Sequence, residues 1–333
     1  MNLGILFGGN SLEHEISIVS AYGLRKKLID KHNVTMIYID FNNQLYDASK
    51  VEFMEFKNNK IKKLKKARFK DSKINRKKID CIILCMHGEN GEDGLAAALC
   101  RFYKIPFVGS DILASSIAID KFVTYQFLSQ NGILMIKTVS YTYNDYLSGK
   151  DFDDFPCIIK PAKGGSSIGI FVCHNKDEFQ ENILKAFTVS NSVIIQPYYD
   201  NIVEYNLALY EDGESRLERI VKKDEIFSFA NKYNDSFKIM HQALEDERLK
   251  ERFKTIGRKA YELLQAKGII RIDFFLIDDT IYLNEVNIIP GALAMYLFED
   301  FDSVINRCIN NAIANKVSLY KKGNFLIKSD IYK

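Results

Sequence analysis

Short apolar segments alternate with amphipathic helical segments through residues 1–115. The strand segments are 2–9, 34–40, 79–88 and 105–109, and the helical segments are about 17–27 and 91–103. A strand followed by a helix and another strand favours a parallel sheet, because the helix carries the chain back to the same edge. The pattern therefore predicts a Rossmann-like, mostly parallel sheet in the first part of the chain.

The rest of the chain has an α+β pattern, with helices beside short strands. The predicted segments are a helix at 116–131, two strands joined by a glycine-serine loop within 155–172, a helix near 176–187, strands at 192–199, 203–210 and 215–222, a polar segment at 223–243, a helix at 245–266, a hairpin at 271–287 and a helix near 302–315. We therefore expect three lobes with α/β and α+β character, at 1–115, 116–202 and 203–333.

Composition predicts a globular protein that stays in the cytoplasm. Apolar residues make up 47% of the 333 residues, which is enough to bury real cores. No apolar run reaches the ~18 residues of a membrane span, and the apolar N-terminus lacks the basic segment and cleavage site of a signal peptide. Six cysteines lie in apolar runs without a CxxC pair, which favours reduced core thiols over disulfides or zinc.

A basic run occupies residues 57–78. It holds twelve Lys or Arg residues against one Asp, although the whole chain has a net charge of only +3. The run contains one aromatic residue, Phe69, and no recognised binding module, so a solvated excursion is a better interpretation than a nucleic-acid interface. We expect no nucleic-acid partner.

The loop KPAKGGSSIG, residues 160–169, is suited to an anion. Its glycines allow the backbone N–H groups to approach a phosphate closely, and Ser166 and Ser167 add hydroxyl donors. Lys160 and Lys121 supply positive charge that phosphates would use. The loop lacks the GxxxxGK[ST] pattern of a Walker A motif, and an ordinary hairpin turn is the alternative interpretation.

The stretch RIDFFLIDDTIYLNEVN, which begins at Arg271, predicts a hairpin with a polar face. A three-residue turn at 278–280 would place Asp273 opposite Glu285 and bring Arg271 and Asn287 onto the same face. A two-residue turn would slip the register and separate the two acids. Two carboxylates and an amide without imidazole or thiolate favour Mg²⁺ over zinc, and a solvated face with cross-strand pairs is the alternative.

A phosphate loop and a magnesium face in one chain indicate nucleoside triphosphate chemistry. Arg271 could then meet a developing oxyanion, and the backbone N–H of Gly291 could meet the same oxygen. In the first lobe, Glu13 could hold a substrate ammonium. His87 could belong to the same site, and the alternative interpretation is a histidine with a purely structural role. The glycine pair at 8–9 lacks the full GxGxxG pattern, which argues against NAD.

Several motifs together resemble the D-alanine-D-alanine ligase family of the ATP-grasp superfamily. They are FGGNSLEHEIS (7–17), HGENGEDGLAAA (87–98), KPAKGGSSIG (160–169), ANKY (230–233) and LQAKGIIRIDFF with LNEVNIIPG (within 264–291). They span nearly the whole chain in the family's order. The resemblance implies a three-lobe ATP-grasp architecture with ATP between the second and third lobes, two Mg²⁺ ions or Mn²⁺, amino-acid substrates, and a homodimer through the first lobe.

The resemblance also implies a role for each matching residue. It assigns ATP contacts to Lys121, Lys160, Ser166, Ser167, Gln196, Tyr198, Tyr199, Glu204 and Lys232. It assigns metal binding to Asp273, Glu285 and Asn287, and stabilisation of the tetrahedral intermediate to Arg271 and Gly291. It places Glu13, Ser166 and Tyr233 in a triad that orders the first substrate, with His87 beside it, and it makes 223–243, including Lys232, a lid.

The chain departs from the family pattern near the second substrate. Where relatives carry Ser-Leu to bind that substrate, this chain has Tyr296-Leu297, and Ile288 replaces a small residue. Three functions are therefore considered. They are a D-alanine-D-alanine ligase that serves peptidoglycan synthesis, a related dipeptide ligase with a different second substrate, and an ATP-binding protein without turnover.

Overall fold

A computed structural model describes residues 1–58, 64–165, 168–221, 240–243 and 246–315 of the chain. The strands are β1 (Asn2–Gly8), β2 (Asn33–Ile39), β3 (Leu45–Asp47), β4 (Lys65–Lys66), β5 (Phe69–Lys70), β6 (Lys73–Ile74), β7 (Lys77–Lys78), β8 (Cys81–Leu84), β9 (Phe107–Val108), β10 (Val139–Thr142), β11 (Cys157–Pro161), β12 (Phe171–Cys173), β13 (Ser192–Pro197), β14 (Val203–Tyr210), β15 (Gly213–Glu214), β16 (Glu218–Val221), β17 (Met240–Ala243), β18 (Ile270–Ile277) and β19 (Thr280–Asn287). They form three larger sheets and one small meander.

The helices are α1 (His14–Leu28), α2 (Phe53–Lys57), α3 (Leu95–Phe102), α4 (Ile112–Ile119), α5 (Lys121–Gln130), α6 (Tyr143–Leu147), α7 (Lys176–Phe187), α8 (Glu247–Leu263) and α9 (Phe301–Ala314), with a 3₁₀ segment at Gly291–Leu297. The single helix predicted over 116–131 is wrong, because α4 ends and α5 begins at Asp120. The Asp120 carboxylate accepts the N–H groups of Phe122 and Val123, which caps the second helix.

The first sheet lies near the start of the chain and brings the ends of two of its strands, β1 and β8, together. Its order is β4-β3-β2-β1-β8-β9, and β2, β1, β8 and β9 pair in parallel as predicted, whereas β3 and β4 extend the edge in antiparallel pairing. Because β1 and β8 are parallel neighbours, the segments that follow them begin at the same edge of the sheet. This arrangement brings Glu13 near His87.

Residues 64–78 of the basic run contain strands β4 to β7. The turns at 71–72 and 75–76 have positive φ at all four residues, as two-residue hairpin turns require. Lys73 consequently lies directly opposite Lys70 and Lys78, and all three are exposed. The run therefore includes a compact meander with a lysine face.

The second sheet, β10-β13-β11-β12, is antiparallel throughout, and α7 packs against it. The third sheet follows the order β17-β16-β14-β18-β19 and is also antiparallel, with β15 paired to β14. Phe253 of α8 packs against Phe274 of β18 at 5.3 Å between ring centroids, which fixes one face of this sheet to the helix. The opposite face carries the polar side chains.

The hairpin of β18 and β19 reaches the predicted pairing by a different route. Its turn has only two residues, Asp278 and Asp279, both with positive φ, so the three-residue turn is wrong. Asn284 is an extra residue that forms a β-bulge, and the bulge restores the register that a two-residue turn would lose. Asp273 therefore lies opposite Glu285, as predicted.

Two further expectations concern the cysteines and membrane-spanning helices. All six cysteines are free and buried, which confirms the prediction of reduced core thiols. Within the described ranges, none of the helices combines the length and apolar character that crossing a bilayer requires.

Candidate functional site

A cleft of about 1350 Å³ lies among the three larger sheets. It collects most of the residues that the sequence predicts to be functional: Glu13, His87, Lys121, Lys160, Gln196, Tyr198, Tyr199, Glu204, Arg271, Asp273, Glu285, Asn287, Gly291 and Tyr296. These residues come from all three predicted lobes, so the fold brings distant parts of the sequence to one place.

Some predicted residues lie elsewhere. Leu297 is fully buried in the core and does not line the cleft. Ser166, Ser167, Lys232 and Tyr233 lie outside the described residues, as does the proposed lid apart from 240–243.

Asp273, Glu285 and Asn287, here called the acidic group, lie on one face of the hairpin. Arg271 Nε and Nη2 donate to the two oxygens of Asp273 at 2.7 and 2.9 Å, and Asn287 Nδ2 donates to Asp273 at 3.1 Å. A forked guanidinium contact holds a carboxylate in one plane. The geometry thus fixes a carboxylate and a cation side by side on the cleft wall.

Lys121 connects the acidic group to the glycine-serine loop. Its Nζ lies 3.3 Å from Glu285 Oε1 and donates to the Gly164 carbonyl at 2.6 Å. Lys121 is the first residue of α5, where a positive charge is unfavourable to the helix dipole. Its position therefore reflects the requirements of the cleft rather than those of the helix.

Lys160 is held by a chain of polar contacts on the other side of the cleft. Its Nζ donates to Gln196 Oε1 at 2.8 Å, and Gln196 Nε2 donates to Thr138 Oγ1 at 2.9 Å. The ammonium also lies 5.8 Å from the centroid of the Phe275 ring. These contacts fix a nearly buried positive charge where the cleft meets the second sheet.

Glu13 lies against two glycines. A Cβ atom at Gly165 would lie 3.1 Å from Glu13 Oε1, and one at Gly88 would lie 3.3 Å from Oε2. A carboxylate from the first predicted lobe thus approaches the glycine-serine loop of the second at Gly165. The absence of side chains at both glycines makes room for it.

His87 lines the cleft, but protein groups contact both of its ring nitrogens. Nδ1 lies 2.9 Å from the Ile289 carbonyl oxygen, and Nε2 lies 2.8 Å from Ser20 Oγ. Both ring nitrogens of His87 are therefore within hydrogen-bond distance of protein groups.

The cleft residues that escaped the sequence interpretation include Ser20, Glu92, Asn206 and Glu218. Asn206 lies opposite Asp273 across β14 and β18, and its Nδ2 donates to Glu218 at 3.4 Å. The alternation of Glu204 and Asn206 on β14 was the available signal, but it needed the strand pairing to become informative. Glu218 is only 2% exposed, which is unusual for a carboxylate.

Glu92 is a second, partly buried carboxyl group that lines the cleft. Burial raises its pKa, and His87, whose Nδ1 lies 4.0 Å from Glu92 Oε1, opposes that rise. The Gly88 N–H also donates to Glu92 Oε2 at 3.2 Å. Desolvation dominates, so the protonated form of Glu92 is favoured relative to an exposed glutamate.

Tyr296 adds an aromatic ring to the cleft wall beside Arg271. Although the residue is 40% exposed, partial desolvation of its phenol raises the pKa, and the charge and hydrogen bond of Arg271 oppose that rise. Its backbone carbonyl accepts Arg216 Nη2 at 2.9 Å, which anchors the segment. The ring therefore has a defined place at the end of the cleft that holds Arg271 and Gly291.

Comparison with known proteins matches this arrangement to one family. The family model described as D-ala D-ala ligase N-terminus matches residues 2–110, and the one described as D-ala D-ala ligase C-terminus matches residues 127–302. A D-alanine–D-alanine ligase from Campylobacter jejuni is 37% identical, with 96% of this chain and 94% of the relative covered.

Solved structures agree with the family models. The crystal structure of D-alanine-D-alanine ligase from Helicobacter pylori is 31% identical, with a TM-score of 0.78 and coverage of 93% of this chain and 98% of that one. The D-alanine–D-alanine ligase from Bacillus anthracis complexed with ATP is 23% identical and shares the fold, with a TM-score of 0.67 and coverage of 94% and 98%. The predicted mixed α/β architecture is confirmed, and the chain belongs to the D-alanine–D-alanine ligase family.

Proposed function

We propose that the protein uses ATP to join two molecules of D-alanine into D-alanyl-D-alanine for peptidoglycan synthesis. The observation that carries the proposal is the shared cleft. One face of a hairpin presents Arg271 beside Asp273, and Lys121 connects Glu285 to the glycine-serine loop. Such a cleft can hold a triphosphate, a metal ion and a reacting carboxylate together.

ATP would lie between the second and third sheets. Lys121 and Lys160 would supply positive charge for its phosphates, and Glu204, which lines the cleft, would accept hydrogen bonds from the ribose hydroxyls. Gln196, Tyr198 and Tyr199 follow one another along and just after β13, where they would surround the adenine. Ser166 and Ser167 are proposed to cover the phosphates.

Mg²⁺ fits the donor chemistry of the acidic group. Mg²⁺ commonly takes one or two carboxylates and completes its shell with substrate phosphates and water. Asp273 and Glu285 supply two carboxylates and Asn287 an amide oxygen, which is a set of hard oxygen donors. Asp273, Glu285 and Asn287 would hold two ions that neutralise phosphate charge when bound, and Mn²⁺ could replace them.

In the first chemical step, the carboxylate of the first D-alanine attacks the γ-phosphorus of ATP. The P–O bond to ADP breaks, and an acyl phosphate forms. Glu13 would hold the substrate ammonium, within a triad that includes Ser166 and Tyr233, and the lysines spread the transferring charge. The chain's main contribution to this step is positioning.

In the second step, the amine of the second D-alanine attacks the acyl carbon. The carbonyl oxygen becomes an oxyanion, which Arg271 and the Gly291 N–H would stabilise. The C–O bond to phosphate then breaks, and the departing phosphate takes up the proton that the amine releases. Arg271 is already fixed by Asp273, so it loses little freedom when the charge develops. The lid, including Lys232, would exclude water from the acyl phosphate.

The proposal extends to organisation. The three sheets agree with three lobes at 1–115, 116–202 and 203–333, and we propose a homodimer formed through the first lobe. Consumption of ATP agrees with the cytoplasmic location expected from the sequence.

The test is incubation of the purified protein with ATP, Mg²⁺ and single amino acids. Phosphate release together with a D-alanyl-D-alanine mass supports the proposal, and L-alanine serves as the stereochemical control. A different dipeptide would identify a ligase with another second substrate. ATP binding without phosphate release would identify a protein that lacks turnover.

A further inference from the structure

Two residues from the first third of the chain hold both sides of the turn at Gly291. The Ala292 N–H donates to Ser20 Oγ at 2.9 Å, and His87 Nδ1 lies 2.9 Å from the carbonyl oxygen of Ile289. Ser20 Oγ also lies 2.8 Å from His87 Nε2, which joins the two contacts. Gly291 thus lies between two backbone groups that one hydrogen-bonded pair controls.

The direction of each hydrogen bond in this pair follows from its partners. A carbonyl oxygen only accepts, so His87 Nδ1 carries a hydrogen and donates it to Ile289. In the neutral ring, Nε2 is then an acceptor, and the Ser20 hydroxyl donates to it. The Ser20 oxygen remains able to accept the Ala292 N–H, so each of the three hydrogen bonds in this series has one donor and one acceptor.

The turn that follows Gly291 needs such support. Ala292, Leu293 and Ala294 have φ values of 48°, 51° and 50°, and none is glycine. Three successive left-handed residues are disfavoured because each Cβ approaches the following carbonyl oxygen. Such a segment persists only where its surroundings impose it.

The supporting residues are themselves rigid. Ser20 lies on α1 and is 3% exposed, and His87 follows β8 and is 4% exposed. The His87 N–H also donates to Ser17 Oγ at 2.9 Å, which ties the histidine backbone to the same helix. The pair therefore fixes the turn at Gly291, on the cleft wall, relative to the first sheet.

We infer that Ser20 and His87 are positioning residues that place the Gly291 N–H for the tetrahedral intermediate. The inference rests on the proposed function, because it takes Gly291 as an oxyanion donor. His87 acts through the turn rather than on substrate, since Ile289 and Ser20 engage both of its ring nitrogens.

The test is Ser20→Ala in the full-length protein. Misplacing one oxyanion donor should lower kcat by about 10- to 100-fold, below the loss that follows complete removal of such a donor. The KM values for ATP and D-alanine should stay within about threefold, because ground-state binding does not use this contact. A phosphinate analogue of the tetrahedral intermediate should lose affinity by the same factor as kcat.

Ser110→Ala is a matched control. Ser110 is also a buried serine whose Oγ accepts a backbone N–H from a distant segment, that of Lys267 at 3.0 Å, and it does not line the cleft. It should lose thermal stability comparably to Ser20→Ala while keeping kcat and the affinity for the analogue. A similar kcat loss in both variants would assign the Ser20 effect to general destabilisation and overturn the inference.

Two further outcomes would also overturn it. One is an unchanged kcat in Ser20→Ala, and the other is a kcat loss matched by a large rise in the KM for D-alanine, which indicates direct substrate contact. Hydrogen exchange of peptides covering 288–294 separates this inference from the proposed function. Faster exchange in Ser20→Ala than in wild type supports the contact even if the wild-type protein forms no dipeptide, and unchanged exchange refutes it.

Discussion

The ammonium group of Lys121 lies 3.3 Å from the Glu285 carboxylate and also binds the carbonyl of Gly164. One side chain thus joins the acidic group to the loop proposed to cover the phosphates. Under the proposed function, the same ammonium would contact the phosphates of ATP, because they would lie between these two elements.

Replacement of Lys121 by Met should weaken ATP binding. A hydrogen bond to a charged group contributes about 1.5–3 kcal/mol, so the KM for ATP should rise by roughly 10- to 150-fold. The melting temperature should fall only slightly, since the lost contacts with Glu285 and Gly164 are partly offset by removal of an unfavourable charge at the N-terminus of α5. ATP titration of phosphate release and a thermal melt measure the two effects.

Lys137→Met is the control for this variant, because Lys137 is exposed and does not line the cleft. Its KM for ATP should match that of wild type. An equal rise in both variants would mean that Lys121 acts only through overall charge.

Asp273→Asn should impair catalysis by weakening the proposed magnesium site and releasing Arg271. The carboxylate accepts two hydrogen bonds from the guanidinium, and an amide oxygen can replace only part of that contact. We expect kcat to fall by about 10²–10³-fold, with a higher Mg²⁺ concentration needed for half-maximal turnover. Magnesium titrations at saturating ATP measure both quantities.

Asp279→Asn makes the same chemical change at the exposed end of the hairpin. The Asp279 side chain is 85% exposed, and its left-handed backbone suits asparagine. Normal magnesium dependence is expected there. An Asp273 variant with the same dependence would refute the proposed metal site.

The hairpin and His87 show how far sequence reasoning reached. The pairing of Asp273 with Glu285 was predictable because both acids had to share a polar face. The two-residue turn and the Asn284 bulge were not predictable, since their effects on the register cancel. The ring contacts of His87 depend on Ile289, more than 200 positions away, and no local pattern reveals them.

Glu92→Gln should change how stability depends on pH. Burial raises the folded-state pKa of Glu92, so the folded protein binds this proton more tightly than the unfolded chain does. The associated stability is fully present below the unfolded pKa of about 4.3 and is lost as pH rises through the folded pKa. The glutamine side chain of the variant does not ionise, so the variant does not lose this stability as pH rises. The variant should therefore be more stable than wild type at neutral pH and similar near pH 4.

Urea unfolding of both proteins across this pH range measures the difference. Glu89→Gln, an exposed substitution on the same loop, should give a curve parallel to that of wild type. A Glu92→Gln protein that is less stable than wild type at neutral pH would show that the ionised carboxylate stabilises the fold.

Tyr296 should determine how much room the second amino acid has. Its ring lines the cleft beside Arg271, so replacing it with Ser should open space near the attacking amine. One extra methylene in a pocket changes selectivity by about 10- to 200-fold, so Tyr296→Ser should raise kcat/KM for D-2-aminobutyrate relative to D-alanine by at least about tenfold.

Tyr296→Phe keeps the ring but removes the hydroxyl near Arg271, and its selectivity should stay close to that of wild type. Competition assays with mass analysis of the dipeptides give the ratio directly, and a shift in the Phe variant equal to that in the Ser variant would assign selectivity to the hydroxyl instead of the ring.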